Sequence, residues 1–75
     1  MTSLRSLDSR QFVRALCRLG WVVARTTGSH QMLNKAGHPA TLSVPVGPGR
    51  VLREGTARKL LKAAGVTEAE LLAKY

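Results

Sequence analysis

The stretch Trp21-Val22-Val23-Ala24-Arg25-Thr26-Thr27-Gly28-Ser29-His30-Gln31-Met32-Leu33-Asn34 decides the fold. Trp21 to Arg25 is aromatic and β-branched, which favours a strand. Thr27-Gly28-Ser29 is a turn, and His30 to Asn34 resumes an extended pattern. Alternation puts Gln31 and Leu33 on one face of that second strand, His30 and Met32 on the other. Lys35-Ala36-Gly37-His38-Pro39 is the next turn. Ala40 to Val44 is a third strand, closed by Pro45. Two tight turns joining three short strands predict an antiparallel meander.

Outward from the meander, both flanks read as helices. Asp8-Ser9-Arg10-Gln11 is a helix start, with Asp8 as cap and Gln11 three residues on. Phe12, Val13, Leu16 and Leu19 make one apolar stripe, and Gly20 is a left-handed stop. Residues 1–7 read as a polar lead. On the other side, Val46 to Gly55 reads as a Gly/Pro-rich loop. Thr56 is the expected cap of a helix from Ala57 to Ala64, stopped by Gly65. Thr67-Glu68-Ala69-Glu70 is a second capping box, opening a short helix through Leu71, Leu72 and Tyr75. The order is α-β-β-β-α plus a short C-terminal helix. Helices gathered on one face of a three-stranded antiparallel sheet define an α+β class. The 75 residues suffice for one small domain, 1–75, with its core at about 8–66.

A domain of this size has little room for a deep substrate cavity. Any chemistry belongs in a shallow groove and acts on something large. Twelve Lys and Arg face four Asp and Glu, a formal net charge of +8. Between Asp8 and Glu54 there is no carboxylate, while seven basic residues fall there, Arg10 and Arg50 among them. One-sign charge captures polyanions, so nucleic acid is the expected partner and an anionic protein the second. Arg10, Arg14 and Arg18 recur every four residues; a solvated basic face is favoured, with contact to nucleic acid or to an anionic partner protein as the other reading. The lone Cys17 forms no internal disulfide and is expected to pack like a small hydrophobe. With no signal-peptide pattern and no membrane-length apolar run, a cytoplasmic protein is expected. Cys17, His30 and His38 lack metal-ligand spacing, and no carboxylate cluster could hold Mg²⁺, so neither a metal nor a small-molecule cofactor is expected. Trp21 reads as core rather than a base-stacking platform, and His38 as an exposed turn residue.

Leu19-Gly20-Trp21, Arg25, Gly28-Ser29-His30, Val44-Pro45, Gly55-Thr56 and Leu61-Lys62-Ala63-Ala64-Gly65-Val66 together resemble the HicA family, over about Asp8 to Val66. Each piece alone is weak; the ordered set is fairly specific. The resemblance implies a fold like the double-stranded-RNA-binding domain. It implies a toxin of a type II toxin–antitoxin pair, an mRNA interferase neutralised by a HicB-like antitoxin. The family's catalytic histidine maps onto His30. Family members often carry a second histidine two residues after the Val-Pro pair; here Val46-Gly47 follows, and that imidazole is missing.

RNA can be cut without metal because its own 2′-hydroxyl is the nucleophile. Imidazole, with a reference pKa of about 6.5, suits both proton transfers. Gly28 permits close approach of a backbone, and Ser29 offers a hydroxyl to a phosphate oxygen. Arg25, Lys35 and Arg50 are candidates for stabilising charge at the site. Arg58, Lys59 and Lys62, at the start of the second helix, are candidates for backbone phosphates. Lys62, Lys35, Tyr75 and solvent water are all open as the second proton-transfer group. The alternative from another class is a non-catalytic RNA-binding module of the same fold.

Overall fold

The structure is a computed structural model that describes residues 6–75. Its elements run β1 (Ser6–Asp8), α1 (Ser9–Arg18), β2 (Val22–Thr27), β3 (His30–Asn34), β4 (Leu42–Pro45), β5 (Val51–Arg53), α2 (Glu54–Ala64) and α3 (Glu68–Lys74). The expected α-β-β-β-α order is present, and β2-β3-β4 form a three-stranded antiparallel sheet. Leu33, Leu42 and Val44 are buried on one face of that sheet, together with Phe12 and Leu16 of α1 and Ala57 and Leu61 of α2. Fully burying one such large side chain is worth about 1.5–3 kcal/mol. The opposite face is open to solvent, the usual state of an antiparallel sheet covered by helices on one side.

Local chemistry explains the helix ends. The Asp8 carboxylate accepts from the backbone N–H groups of Arg10 and Gln11, at 3.0 and 3.1 Å. Gly20 follows α1 with φ +102°, and Gly65 ends α2 with φ +70°. Thr67 and Glu70 form the reciprocal capping box of α3. Trp21 is 2% exposed, so it is core. Its indole N–H has no hydrogen-bond partner, so its contribution is packing.

Four expectations are corrected. Most of the lead 1–7 lies outside the described residues, but Ser6–Asp8 is a strand. It pairs antiparallel with Val51–Arg53, inside what read as a loop, and places Leu7 opposite Leu52 with both side chains buried. The helix α2 starts at Glu54 rather than after Thr56. Its N-cap is Arg53, which makes no side-chain cap bond; the extended backbone of β5 delivers the chain straight into the helix. Cys17 is exposed. At 100° per residue it sits about 40° beyond Val13, past the edge of the apolar stripe. His38 is half-buried rather than an exposed turn residue, tilted against Trp21.

A bulge in β2 has consequences for the open face. Val23 pairs with Leu33, but Arg25 pairs with Met32, so Ala24 is an extra residue. In a regular strand Val23 and Arg25 would share a face. The inserted Ala24 reverses that relation. Val23 turns toward the helices while Arg25 stands on the open face beside Met32.

Candidate nucleic-acid interface

His30 opens β3 and faces Thr27 of β2 and Pro45 of β4 across the ladders. This rung lies on the open face, and His30 is exposed. Gly28 and Ser29 form the two-residue loop between Thr27 and His30. Gly28 has φ +54° and Ser29 does not have a positive φ. A positive φ at the first loop residue alone is the II′ pattern, whose twist suits a hairpin and whose first position favours glycine. Behind the turn, the Ser29 carbonyl accepts from the Val46 N–H at 2.7 Å. The turn is thereby tied to the segment after β4, and the imidazole projects from a braced backbone. Ser29 Oγ lies 3.5 Å from His30 Nδ1, at the outer limit of a hydrogen bond.

Arg25 is one same-face rung from His30, roughly 7 Å along the strands. The structure therefore brings together His30, Gly28, Ser29 and Arg25. Lys35 follows the far end of β3. Its aliphatic chain backs onto Gly20, and its charge acts on Glu70. Arg50 is exposed in the turn before β5, where its backbone N–H bonds the Gly47 carbonyl. Arg58 is held by Glu54 at 3.1 Å and faces Glu68 at 3.9 Å, so its charge is already met by two carboxylates. Lys59 and Lys62 are exposed on α2 and form no ion pair among the described residues. The helix α2 packs on the covered side of the sheet, opposite the face that carries His30. Tyr75 accepts a hydrogen bond from the Asp8 N–H at 2.8 Å, at the start of α1.

All four carboxylates of the chain have local structural work. Asp8 caps α1, Glu54 and Glu68 flank Arg58, and Glu70 caps α3. The Thr67 hydrogen bonds, first from its backbone and then from its hydroxyl, hold the Glu70 carboxyl below its usual range, with Lys35 adding to the effect. No described salt bridge or hydrogen bond joins a carboxylate to His30, and the charged neighbour on its face is Arg25. Among the described residues no three His, Cys, Asp or Glu side chains come together as a metal site. No described helix is long and apolar enough to cross a membrane.

Sequence reasoning left one feature of this end of the sheet unassigned. On the covered side, a groove of about 560 Å³ opens between α1 and the hairpin. Arg10 and Arg14 form part of one wall. Their four-residue spacing was the available signal, but it does not tell which neighbours they face.

A small basic α+β domain with an exposed histidine braced at a sheet turn is the class these features define. A family model described as HicA toxin of bacterial toxin-antitoxin matches residues 9–66, and the chain belongs to that family. It is thus a toxin component of a toxin–antitoxin system. Comparison with curated proteins gives no significant match.

Proposed function

We propose that the chain is a metal-independent endoribonuclease, an mRNA interferase, with His30 as its general acid–base group. The observation that carries this reading is the exposed His30 ring on a braced II′ turn, with Arg25 one rung away and no carboxylate against it. The imidazole removes the proton of the 2′-hydroxyl, whose oxygen attacks the adjacent phosphorus. The P–O5′ bond breaks, leaving a 2′,3′-cyclic phosphate and a 5′-hydroxyl. Arg25 and the Ser29 hydroxyl lie where they could meet the phosphate oxygens, and preorganised charge there lowers the barrier. Lys35 and Tyr75 are engaged elsewhere, which favours solvent water for the complementary proton transfer. One positioned acid–base group contributes about 10²–10⁴ in rate, which suffices for a slow nuclease.

A HicB-like antitoxin would act on the same face, by covering His30 or by adding a strand at an edge of the sheet, β2 or β4. An mRNA substrate places the action in the cytoplasm. The test is induction of wild type and His30→Ala without antitoxin, both checked for folding. Loss of growth arrest and of mRNA decay in the variant supports the nuclease. Equal behaviour of the two leaves a non-catalytic RNA-binding module.

A further inference from the structure

The groove of about 560 Å³ has three walls that meet at the hairpin end of the sheet. Arg10, Val13, Arg14 and Cys17 of α1 make the first. Thr26, Gly28 and Gln31 belong to the second, and Val46-Gly47-Pro48 make the third. On α1 the four residues span one contiguous arc, because positions three and four apart share a helix face. Val13 and Val46 are buried and Val23 half-buried, which gives an apolar floor. Arg10 and Arg14 are exposed and make no ion pair among the described residues. Arg18 differs, since its guanidinium donates to the Lys74 carbonyl at 2.7 Å. Thus two of the three arginines of α1 line the groove, and the third is tied to the end of α3.

We propose that this groove binds one or two nucleotides of single-stranded RNA, next to the nucleotide that reacts at His30. The choice of RNA rests on the nuclease reading above. The groove and His30 lie on opposite faces of the sheet but at the same end, separated by the Gly28-Ser29 turn. A strand crossing that turn reaches both, and Gly28 carries no side chain to block it; an added Cβ there would meet no atom within 4 Å. The volume falls in the range of small-ligand clefts, about 300–1,000 Å³. An apolar floor accepts the face of a base, and the amide of Gln31 and hydroxyl of Thr26 can bond its edge. Arg10 and Arg14 are forked donors suited to phosphate oxygens. A base must leave its helix to enter such a site, so a single strand fits and an intact duplex does not. A purely acidic protein segment would match the charge but would leave the apolar floor unused.

Cys17 is the chain's only cysteine, is exposed, and lines the groove, so its alkylation reports occupancy. The experiment measures the iodoacetamide rate of the full chain with an uncleavable 2′-O-methyl RNA single strand, the same RNA as a duplex, or a poly-glutamate peptide. With single strand at ten times its Kd, labelling should slow about tenfold, and the duplex should protect less. Replacing Arg10 and Arg14 together by Ala should weaken binding and lower its salt slope by about one unit per lost phosphate contact. Arg18→Ala should leave both unchanged. Cys17 labelling at the free rate while RNA is bound overturns the groove assignment, as does protection by the peptide alone or no RNA binding at all. The two readings fail separately. His30-dependent cleavage with unprotected Cys17 keeps the nuclease and removes the groove. Protected Cys17 with His30-independent behaviour removes the nuclease and keeps the groove.

Discussion

The rings of Trp21 and His38 lie with their centroids 5.0 Å apart, inclined at 57°. The Nδ1 atom of His38 also accepts from the Ala40 N–H at 3.2 Å. His38 therefore braces the turn between β3 and β4 against the core. His38→Ala should cost about 1 kcal/mol, the usual worth of a tilted aromatic pair. That corresponds to a melting temperature lower by about 4–8 °C in a domain of this size. Cleavage per folded molecule should not change, and thermal melts paired with an RNA assay check both.

His30→Ala should give the reverse pattern. The ring is exposed, so the melting temperature should stay within about 2–4 °C. RNA cleavage should fall by about 10²–10⁴. A large melting shift in this variant would show that the ring supports the hairpin rather than the chemistry.

Gly28→Ala should test the turn itself. The added methyl group would meet nothing within 4 Å, so its cost is torsional. A non-glycine residue at φ +54° costs about 1–2 kcal/mol. Chemical denaturation should show that loss, and cleavage should drop further than stability because the turn aims His30.

At the start of α1, Asp8→Ala should remove the acceptor of the Arg10 and Gln11 N–H groups and cost about 1 kcal/mol. Tyr75→Phe should cost about 0.5–1.5 kcal/mol through loss of the acceptor for the Asp8 N–H. Urea titrations of the two single variants and the double variant would show whether the effects add. Near-additivity is expected, since one change acts on the side chain of Asp8 and the other on its backbone.

Glu70 supplies a pH dependence. Its carboxyl is held low in the folded chain, chiefly by the Thr67 backbone and hydroxyl. A depressed folded pKa stabilises above the unfolded value, about 4.3, and that stabilisation is lost as pH falls through the folded value. The melting difference between wild type and Glu70→Ala should be present at pH 7 and shrink below about pH 4. A difference that grows in acid would contradict the capping box.

The range of each interaction decides how much of the fold is legible in the sequence. His30–Asn34 was legible as a strand because alternation and a glycine turn are local. The Asp8 cap and the Thr67–Glu70 capping box lie within four residues and are legible too, although α1 has a simple N-cap rather than a box, since Gln11 contributes only its backbone. The ribbon between Ser6–Asp8 and Val51–Arg53 was not, because three residues show no period and their partners are distant in sequence. The Ala24 bulge was hidden for a similar reason: it exists only relative to Leu33 and Met32. Gly28, Ser29, His30 and Arg25 lie at one end of the β2–β3 hairpin because they are close in sequence and joined by its turn. Lys35 stands off by the length of β3, Arg58 is met by Glu54 and Glu68, and Arg50 lies in the turn before β5.

The β1–β5 ribbon also bears on kinetics. It joins Leu7 to Leu52, so it closes a loop that contains all of α1 and the meander. Closing so long a loop costs more chain entropy than closing the two-residue turn at Gly28-Ser29. The hairpin is then the natural early contact and the ribbon a late latch. Leu7→Ala should accordingly act mostly on the unfolding limb of a chevron plot, while Leu33→Ala should slow refolding. The lifetime of the native toxin would be set by a pair of leucines remote from its histidine.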